Sequence, residues 1–196
     1  MRIEMHCHEM LHSKCSRISF DDLAVSADYS GVDAIYITDH DSMNFLDNIN
    51  SIQHNYSIKF FVGIEASTMN GDIIAIGPYI NFNTYMIETQ EFINYINENN
   101  GFCYAVHPFR GSGFGYYTYN LENLHSIEIV NGRCSDTQNR KALQLCDELG
   151  LIPMAGSDAH TIEDIGKCPM WIPDHISSSQ ELAVALKSGL SKIINK

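Results

Sequence analysis

The sequence predicts an α/β fold with a parallel, barrel-like arrangement of strands in a single domain spanning residues 1–196. Two observations carry this reading. Short apolar runs alternate with amphipathic stretches along the chain, which is the pattern of strand–helix–strand units. Polar, chemistry-bearing residues recur where the apolar runs stop, and in a (β/α) barrel those strand ends form the face on which active sites are built.

Taken in order, residues 2–8 read as a first strand, followed by an irregular polar loop from Glu9 to Ser19 that holds His12, Ser13, Lys14 and Cys15. Ser19 with Asp21 and Asp22 marks a helix start, Leu23, Ala24, Ala27 and Tyr29 are spaced for one buried face, and Gly31 lies past the end. Residues 33–38 form a buried strand that delivers Asp39 and His40, and Asp41-Ser42 caps a second helix running to about Gln53. A third strand, 59–64, ends at Glu65, and Asn70-Gly71 is a hairpin signal with a return strand over 72–77. A helix over 89–99 stops at Asn100-Gly101, and the strand 102–106 ends at His107-Pro108. Residues 110–117 form a glycine-rich aromatic loop that fits neither a Walker nor a dinucleotide-binding pattern. A strand over 126–130, a helix over 136–149, a strand over 151–155 ending at Gly156-Ser157-Asp158, a short strand near 170–172 and a helix over 179–187 complete the chain. No internal repeat, low-complexity segment or interdomain linker stands out.

Composition narrows the function classes. With 196 residues, 44% hydrophobic and 18% charged, the chain is long enough to bury a core and is not of the disordered type. A net charge of −12 argues against the basic footprint of a surface for long nucleic acid. No secretory signal and no transmembrane run is visible, so a cytoplasmic protein without a membrane partner is expected. The six cysteines are scattered with no C-x-x-C pair, which reads as free thiols; Cys7 should face away from its two histidine neighbours.

The chemistry begins at His6-Cys7-His8. Two histidines two apart on a strand share a face and can reach one metal ion. Taken alone the pair also fits two surface histidines near a chain end. Asp39-His40, Glu65, His107 and Asp158-Ala159-His160 then recur, each at the end of a strand-like run. Imidazole nitrogens with carboxylate oxygens suit divalent zinc, manganese or iron, and Glu65 is the natural carboxylate to bridge two ions.

Six ordered stretches, His6-Cys7-His8, 37–41 (ITDHD), Gly63-Ile64-Glu65, 105–108 (AVHP), 127–133 (IEIVNGR) and 156–160 (GSDAH), resemble the PHP family (polymerase and histidinol phosphatase) over nearly the whole chain. The resemblance implies a distorted (β/α)7 TIM-like barrel, two or three divalent metal ions (Zn, Mn or Fe) and phosphoesterase chemistry. It places one ion on His6, His8, Glu65 and Asp158, a second on Glu65 and His107, and a third on His40 and His160. Two positions depart from the family. Lys14 stands where the loop after His8 supplies a ligand, so His12 is the alternative there; Asp72 stands where many relatives carry a histidine and offers an oxygen ligand instead.

Ions a few ångströms apart acidify a shared water for attack on phosphorus and neutralise the phosphate oxygens. Arg110, three residues after His107, is the candidate to grip a phosphate, with Arg133 and Lys14 behind it, and His12 or His160 is the candidate to protonate the leaving group. Asp39 is expected to orient a ligating histidine or to cap the next helix, and Glu128 to sit behind the metal ligands. The expected function is a metal-dependent phosphoesterase for a small phosphorylated metabolite or nucleotide. The alternatives are a metal-dependent amide or lactone hydrolase, or a metal-binding regulatory domain without turnover. The sequence leaves the oligomeric state open.

Overall fold

A computed structural model of the chain describes residues 1–52, 56–111 and 114–194. The elements are β1 (Arg2–Cys7), α1 (Phe20–Ser30), β2 (Ala34–Ile37), α2 (Leu46–Ile52), β3 (Lys59–Val62), β4 (Ile64–Ser67), β5 (Asp72–Ile76), α3 (Thr89–Glu98), β6 (Phe102–Ala105), α4 (Phe114–Tyr117), β7 (Ser126–Asn131), α5 (Asp136–Leu149), β8 (Ile152–Gly156), β9 (Met170–Trp171), α6 (Ser179–Lys187) and β10 (Lys192–Ile193).

Local chemistry accounts for most boundaries. Ser19 caps α1 by accepting from the Asp22 N–H, and Gly31 closes it in the left-handed conformation. Ser135 and Gln138 form a reciprocal capping box on α5, which Gly150 closes at φ 64°. β4 and β5 pair antiparallel with Ser67 opposite Asp72, so the Asn70-Gly71 signal is read correctly.

The strands form two five-stranded mixed sheets, ordered β10-β9-β1-β2-β3 and β4-β5-β6-β7-β8. This corrects the expected distorted (β/α)7 TIM-like barrel: no ladder among the described residues closes the two sheets into a barrel. The reason lies in the connections. β4, β5 and β6 run antiparallel to one another in turn, as do β1, β9 and β10, so the strand–helix–parallel-strand repeat that a barrel needs is interrupted twice. Between the sheets, among the described residues, the pairing consists of isolated bridges, Cys7 with Ala159 and His40 with Glu65. Both bridges fall beside the residues singled out above.

Strand residues alternate between two buried layers, as a period of two requires. Ile35, Ile37, Ile73, Ala75, Cys103 and Ala105 pack with Leu23 of α1, Phe92 of α3 and Leu145 of α5. Their neighbours Tyr36, Ile74, Ile76, Phe102 and Tyr104 pack with Ile3, Met5 and with Leu182 and Leu186 of α6. In the second layer, the Tyr104 hydroxyl donates to the Met5 carbonyl at 3.0 Å. Gly63 is where the chain leaves one sheet for the other. A Cβ there would lie 2.3 Å from the Tyr36 ring and 2.6 Å from the Ala75 carbonyl, so only glycine passes.

Several local expectations are corrected. The single strand expected over 59–64 is two strands split at Gly63. Tyr29 is 89% exposed, outside the buried face of α1. α2 starts at Leu46, and Asp41 does not cap it; its carboxylate accepts from the Ser67 N–H at 2.9 Å and the Thr84 hydroxyl at 2.6 Å. Gln53 lies outside the described residues, as do Ser112 and Gly113 of the glycine-rich stretch, whose continuation Phe114–Tyr117 is a short helix. All six cysteines are free, and Cys7 packs in the helix-covered layer, away from His6 and His8. Among the described residues no helix is long and apolar enough to cross a membrane.

One titratable ring sits in this scaffold away from the metal-ligand candidates. His125 accepts the Cys103 N–H at 3.2 Å and stacks on Phe102 at 5.1 Å; burial, helped by the Lys187 charge, lowers its pKa from 6.5 to about 4. The unfolded chain therefore binds this proton more readily than the folded one, and stability falls as pH drops from about 6.5 toward 4. Allowing for the ring's partial exposure, the loss attributable to His125 is about 1–2 kcal/mol. His125→Gln keeps an acceptor and does not titrate. Urea unfolding of both proteins at pH 7 and pH 4.5 should show the variant gaining on the wild type by this amount at the lower pH; parallel pH profiles would refute the assignment.

Candidate metal centre

Glu65 is fully buried on β4 with imidazoles on both sides of its carboxylate. Oε1 lies 3.0 Å from His107 Nε2, and Oε2 lies 3.1 Å from His6 Nε2, 3.1 Å from His8 Nε2 and 3.5 Å from His40 Nδ1. Asp158, at φ 54° just after β8, places Oδ1 3.6 Å from both His6 Nε2 and His8 Nε2 and 3.2 Å from His160 Nδ1. The rings of His40 and His160 pack on His8 with centroids at 4.6 and 4.5 Å.

Each side chain is delivered by the end of a strand. His6 and His8 share one face of β1 as it runs into the Cys7–Ala159 bridge, where the His8 N–H donates to the Ala159 carbonyl at 3.0 Å and the Ala159 N–H to the His6 carbonyl at 3.1 Å. The same kind of seam carries His40 and Glu65: the Glu65 N–H donates to the Asp39 carbonyl at 3.1 Å and the Asp41 N–H to the Glu65 carbonyl at 3.0 Å. The site therefore sits where the two sheets meet.

Behind these groups lies a layer of hydrogen bonds. Glu128 on β7 accepts from His6 Nδ1 at 2.9 Å, from the His107 N–H at 2.9 Å and from the Asn131 amide at 2.9 Å. With Nδ1 committed to Glu128, it is Nε2 of His6 that faces the centre. Asn131 also reaches Asp158 Oδ2 at 3.3 Å, the oxygen to which the Arg110 guanidinium donates. Ser13 links His8 to Asp39: its hydroxyl lies 3.4 Å from His8 Nδ1 and donates to Asp39 Oδ1 at 2.7 Å. Beneath β1, buried Glu4 accepts the His6 N–H at 3.1 Å, the Ser157 N–H at 2.8 Å, the Gly166 N–H at 3.0 Å and the Ser157 hydroxyl, fixing the segment that carries Asp158. Gly156 lets these parts close up. A Cβ there would lie 2.4 Å from His6 Cβ and 2.7 Å from Glu128 Oε1.

The electrostatics are those of a cation site. Burial disfavours charge on His6, but Asp158, Glu128 and Glu65 outweigh it and raise the pKa well above the usual value. Burial likewise opposes charge on Glu65 and Asp158, and the surrounding imidazoles, with Arg110 beside Asp158, hold both carboxyls well below the usual range. Three atoms in this cluster, His8 Nε2, His40 Nδ1 and Asp158 Oδ1, are buried with no hydrogen-bond partner. Unpaired buried polar atoms are costly. Here they converge on Glu65, and the donor set of imidazole and carboxylate fits a divalent metal ion. Three groupings offer ligand atoms within 4.8 Å of one another around this centre: His6–His8–Asp158, His6–Glu65–His107 and His8–His40–His160.

No curated protein matches the chain by sequence. A family model described as PHP-associated matches residues 136–190. Among solved structures, a two-domain protein from Bacteroides vulgatus described as containing a predicted PHP-like metal-dependent phosphoesterase is similar over 99% of this chain and 64% of its own length, at TM-score 0.72 and 16% identity. The chain shares the fold of such PHP-like proteins, and its residues 136–190 match the PHP-associated family. The chain also resembles a lesion-specific endonuclease from Pyrococcus furiosus, over 98% of this chain and 58% of that one, at TM-score 0.71 and 18% identity. An amidohydrolase from Chromobacterium violaceum, solved with sulfate and no metal, matches over 94% of this chain and 96% of its own, at TM-score 0.67 and 14% identity. At these identities the likeness to solved structures is one of fold.

The remaining sequence candidates divide sharply. Asp72 lies at the edge of the centre, with Oδ2 4.0 Å from His107 Nε2. Arg110 pairs with Asp158. His12 turns to Glu9 instead of joining the Glu65 cluster, Lys14 is exposed, and Arg133 is exposed with its backbone N–H on Asn131. Asp39 accepts from Ser13 and the Glu9 N–H, so it neither caps a helix nor touches a candidate ligand ring directly. Sequence reading missed Glu4 and Glu9. Both are fully buried carboxylates, and the signal available was an acidic residue flanked by apolar ones next to the histidine pair.

Proposed function

We propose that this chain is a PHP-family metal-dependent hydrolase, and specifically a phosphoesterase acting on a small phosphorylated metabolite or nucleotide in the cytoplasm. The observation that carries the reading is the Glu65 carboxylate with four imidazoles within 3.5 Å and three orphaned ligand atoms around it. His6, His8, Glu65 and Asp158 are the ligands of a first divalent ion, Glu65 and His107 with Asp72 at the margin those of a second, and His40 and His160 with His8 alongside those of a third; zinc, manganese and iron all suit these donors. Bound there, such ions would supply a hydroxide nucleophile at neutral pH and neutralise the charge of the phosphate oxygens.

The chain's own residues do the positioning. Arg110 offers a planar guanidinium at the edge of the centre, where a phosphate can take it in place of Asp158 Oδ2. A cavity of about 70 Å³ lined by Asp72, His107, Pro108, Arg110 and Phe114 lies beside it, room for roughly two water molecules or one small anion. His160 donates Nδ1–H to the Asp158 carbonyl at 2.9 Å, so Nε2 carries the lone pair, which suits a ligand better than a proton donor. The net charge of −12 disfavours a long nucleic acid as partner.

Protein loaded with manganese or zinc should hydrolyse p-nitrophenyl phosphate, and both excess chelator and His8→Ala should abolish the activity. Full activity in either case would refute the metal-dependent mechanism. A parallel set of amides and lactones separates the phosphoesterase reading from other metal-dependent hydrolysis: turnover confined to that set would overturn it.

A further inference from the structure

Beside the Glu65 centre, and sharing no residue with it, lies a second cluster that the phosphoesterase reading does not use. Glu9 is fully buried. Its Oε1 accepts the His12 N–H at 2.8 Å and contacts His12 Nδ1, and its Oε2 accepts the Leu11 N–H at 2.7 Å. The Ser13 N–H donates to the Glu9 carbonyl at 3.0 Å, a single helical turn that puts the side chains of Glu9 and His12 on one side. Asp39, 1% exposed at the end of β2, faces this turn: Oδ1 accepts the Glu9 N–H at 2.9 Å and the Ser13 hydroxyl at 2.7 Å. Its other oxygen, Oδ2, is buried with no hydrogen-bond partner among the described residues. Glu9, His12 and Asp39 each offer one ligand atom within 4.8 Å of the others.

Two carboxylates are thus buried side by side, and among the described residues neither pairs with a lysine or arginine; Lys14, the nearest cation in sequence, is exposed. A buried carboxylate oxygen without a donor, as Asp39 Oδ2 is among the described residues, is costly. We propose that Glu9, His12 and Asp39 form an auxiliary site for a divalent cation, separate from the ions around Glu65. Two carboxylate oxygens and one imidazole nitrogen suit manganese or zinc. The ion would satisfy Asp39 Oδ2 and tie the loop after β1 to the end of β2, bracing the Ser13 hydroxyl that lies against His8.

The test counts ions and then places one. Bound manganese or zinc per chain is measured by elemental analysis in wild type, Glu9→Gln and Asp39→Asn. Each variant should hold one ion fewer than wild type, and unchanged content in both would overturn the proposal. Because Asp39 is buried and its variant is liable to misfold, the second measurement uses the partly exposed His12. In a Cys15→Ser background, His12→Cys titrated with cadmium should show a new thiolate-to-cadmium ultraviolet band. The band should vanish on adding Glu9→Gln and persist on adding His40→Ala. No new band, or one that survives Glu9→Gln, overturns the site; loss with His40→Ala assigns His12 to the ion near His8, His40 and His160 and equally overturns it. The band reports the auxiliary site whether or not the protein hydrolyses any phosphoester.

Discussion

Glu65→Gln is expected to lower metal-supported phosphoester turnover by about 1,000-fold or more, the scale on which losing a preorganised electrostatic element falls. The substitution keeps the shape of the side chain and removes the charge on which His6, His8, His40 and His107 converge at 3.0–3.5 Å. It also places an amide N–H₂ toward imidazole nitrogens that the carboxylate now faces with an acceptor. Bound metal should fall together with the rate, measured by elemental analysis alongside steady-state kinetics. Near-ultraviolet circular dichroism separates this from unfolding. A variant that keeps its ions and stays within about tenfold of the wild-type rate would remove Glu65 from the centre of the chemistry.

Glu128→Gln is expected to weaken metal affinity by about 10–100-fold while leaving the ligands in place. Glu128 touches no candidate ligand atom on the metal side. It takes Nδ1–H of His6 and the N–H of His107, and it receives the Asn131 amide. All three donors need an acceptor, and glutamine can offer only one carbonyl oxygen. The misplaced amide N–H₂ then opposes either His6 Nδ1–H or the His107 N–H, and His6 loses the charge that raises its basicity. Competition against a chelator of known affinity measures the effect. Unchanged affinity would mean that His6 is oriented by its backbone alone.

The candidate site was legible in the sequence to a degree the fold was not. His6, His8, His40, Glu65, His107, Asp158 and His160 each end a strand-like run, and the structure brings all seven together. Strand periodicity and caps such as Ser19 and Gly31 act locally, so they survive in one dimension. Closure of a sheet does not. Whether β3 continues to β4 depends on Gly63 slipping between Tyr36 and the Ala75 carbonyl, a contact between residues far apart in sequence. β9 falls on the short strand expected near 170–172, whereas β10, with two residues, is too short for any periodic signal and is not expected from the sequence.

The side chains misjudged from sequence share a different cause. Asp41 looks like a helix cap because it precedes a helical stretch, yet its carboxylate is taken by Ser67 of β4 and by Thr84 in the segment between β5 and α3. His12 could reach the Glu65 cluster by chain length alone, but the turn over 9–13 folds it back onto Glu9. Glu4 and Glu9 take their meaning only from their partners: four donors around Glu4, and two backbone N–H groups with His12 around Glu9. A buried carboxylate is defined by its donors, and those come from Ser157, Gly166 and the local turn, none of which composition reveals.

The most direct test of the Glu65 centre is anomalous scattering from crystals grown with zinc or manganese, recorded at the corresponding absorption edges. A first peak is expected about 2.0–2.2 Å from Glu65 Oε2, His6 Nε2, His8 Nε2 and Asp158 Oδ1, and a second at the same range from Glu65 Oε1 and His107 Nε2. Absence of any anomalous peak within ligand distance of Glu65, in crystals soaked with either metal, would contradict the assignment.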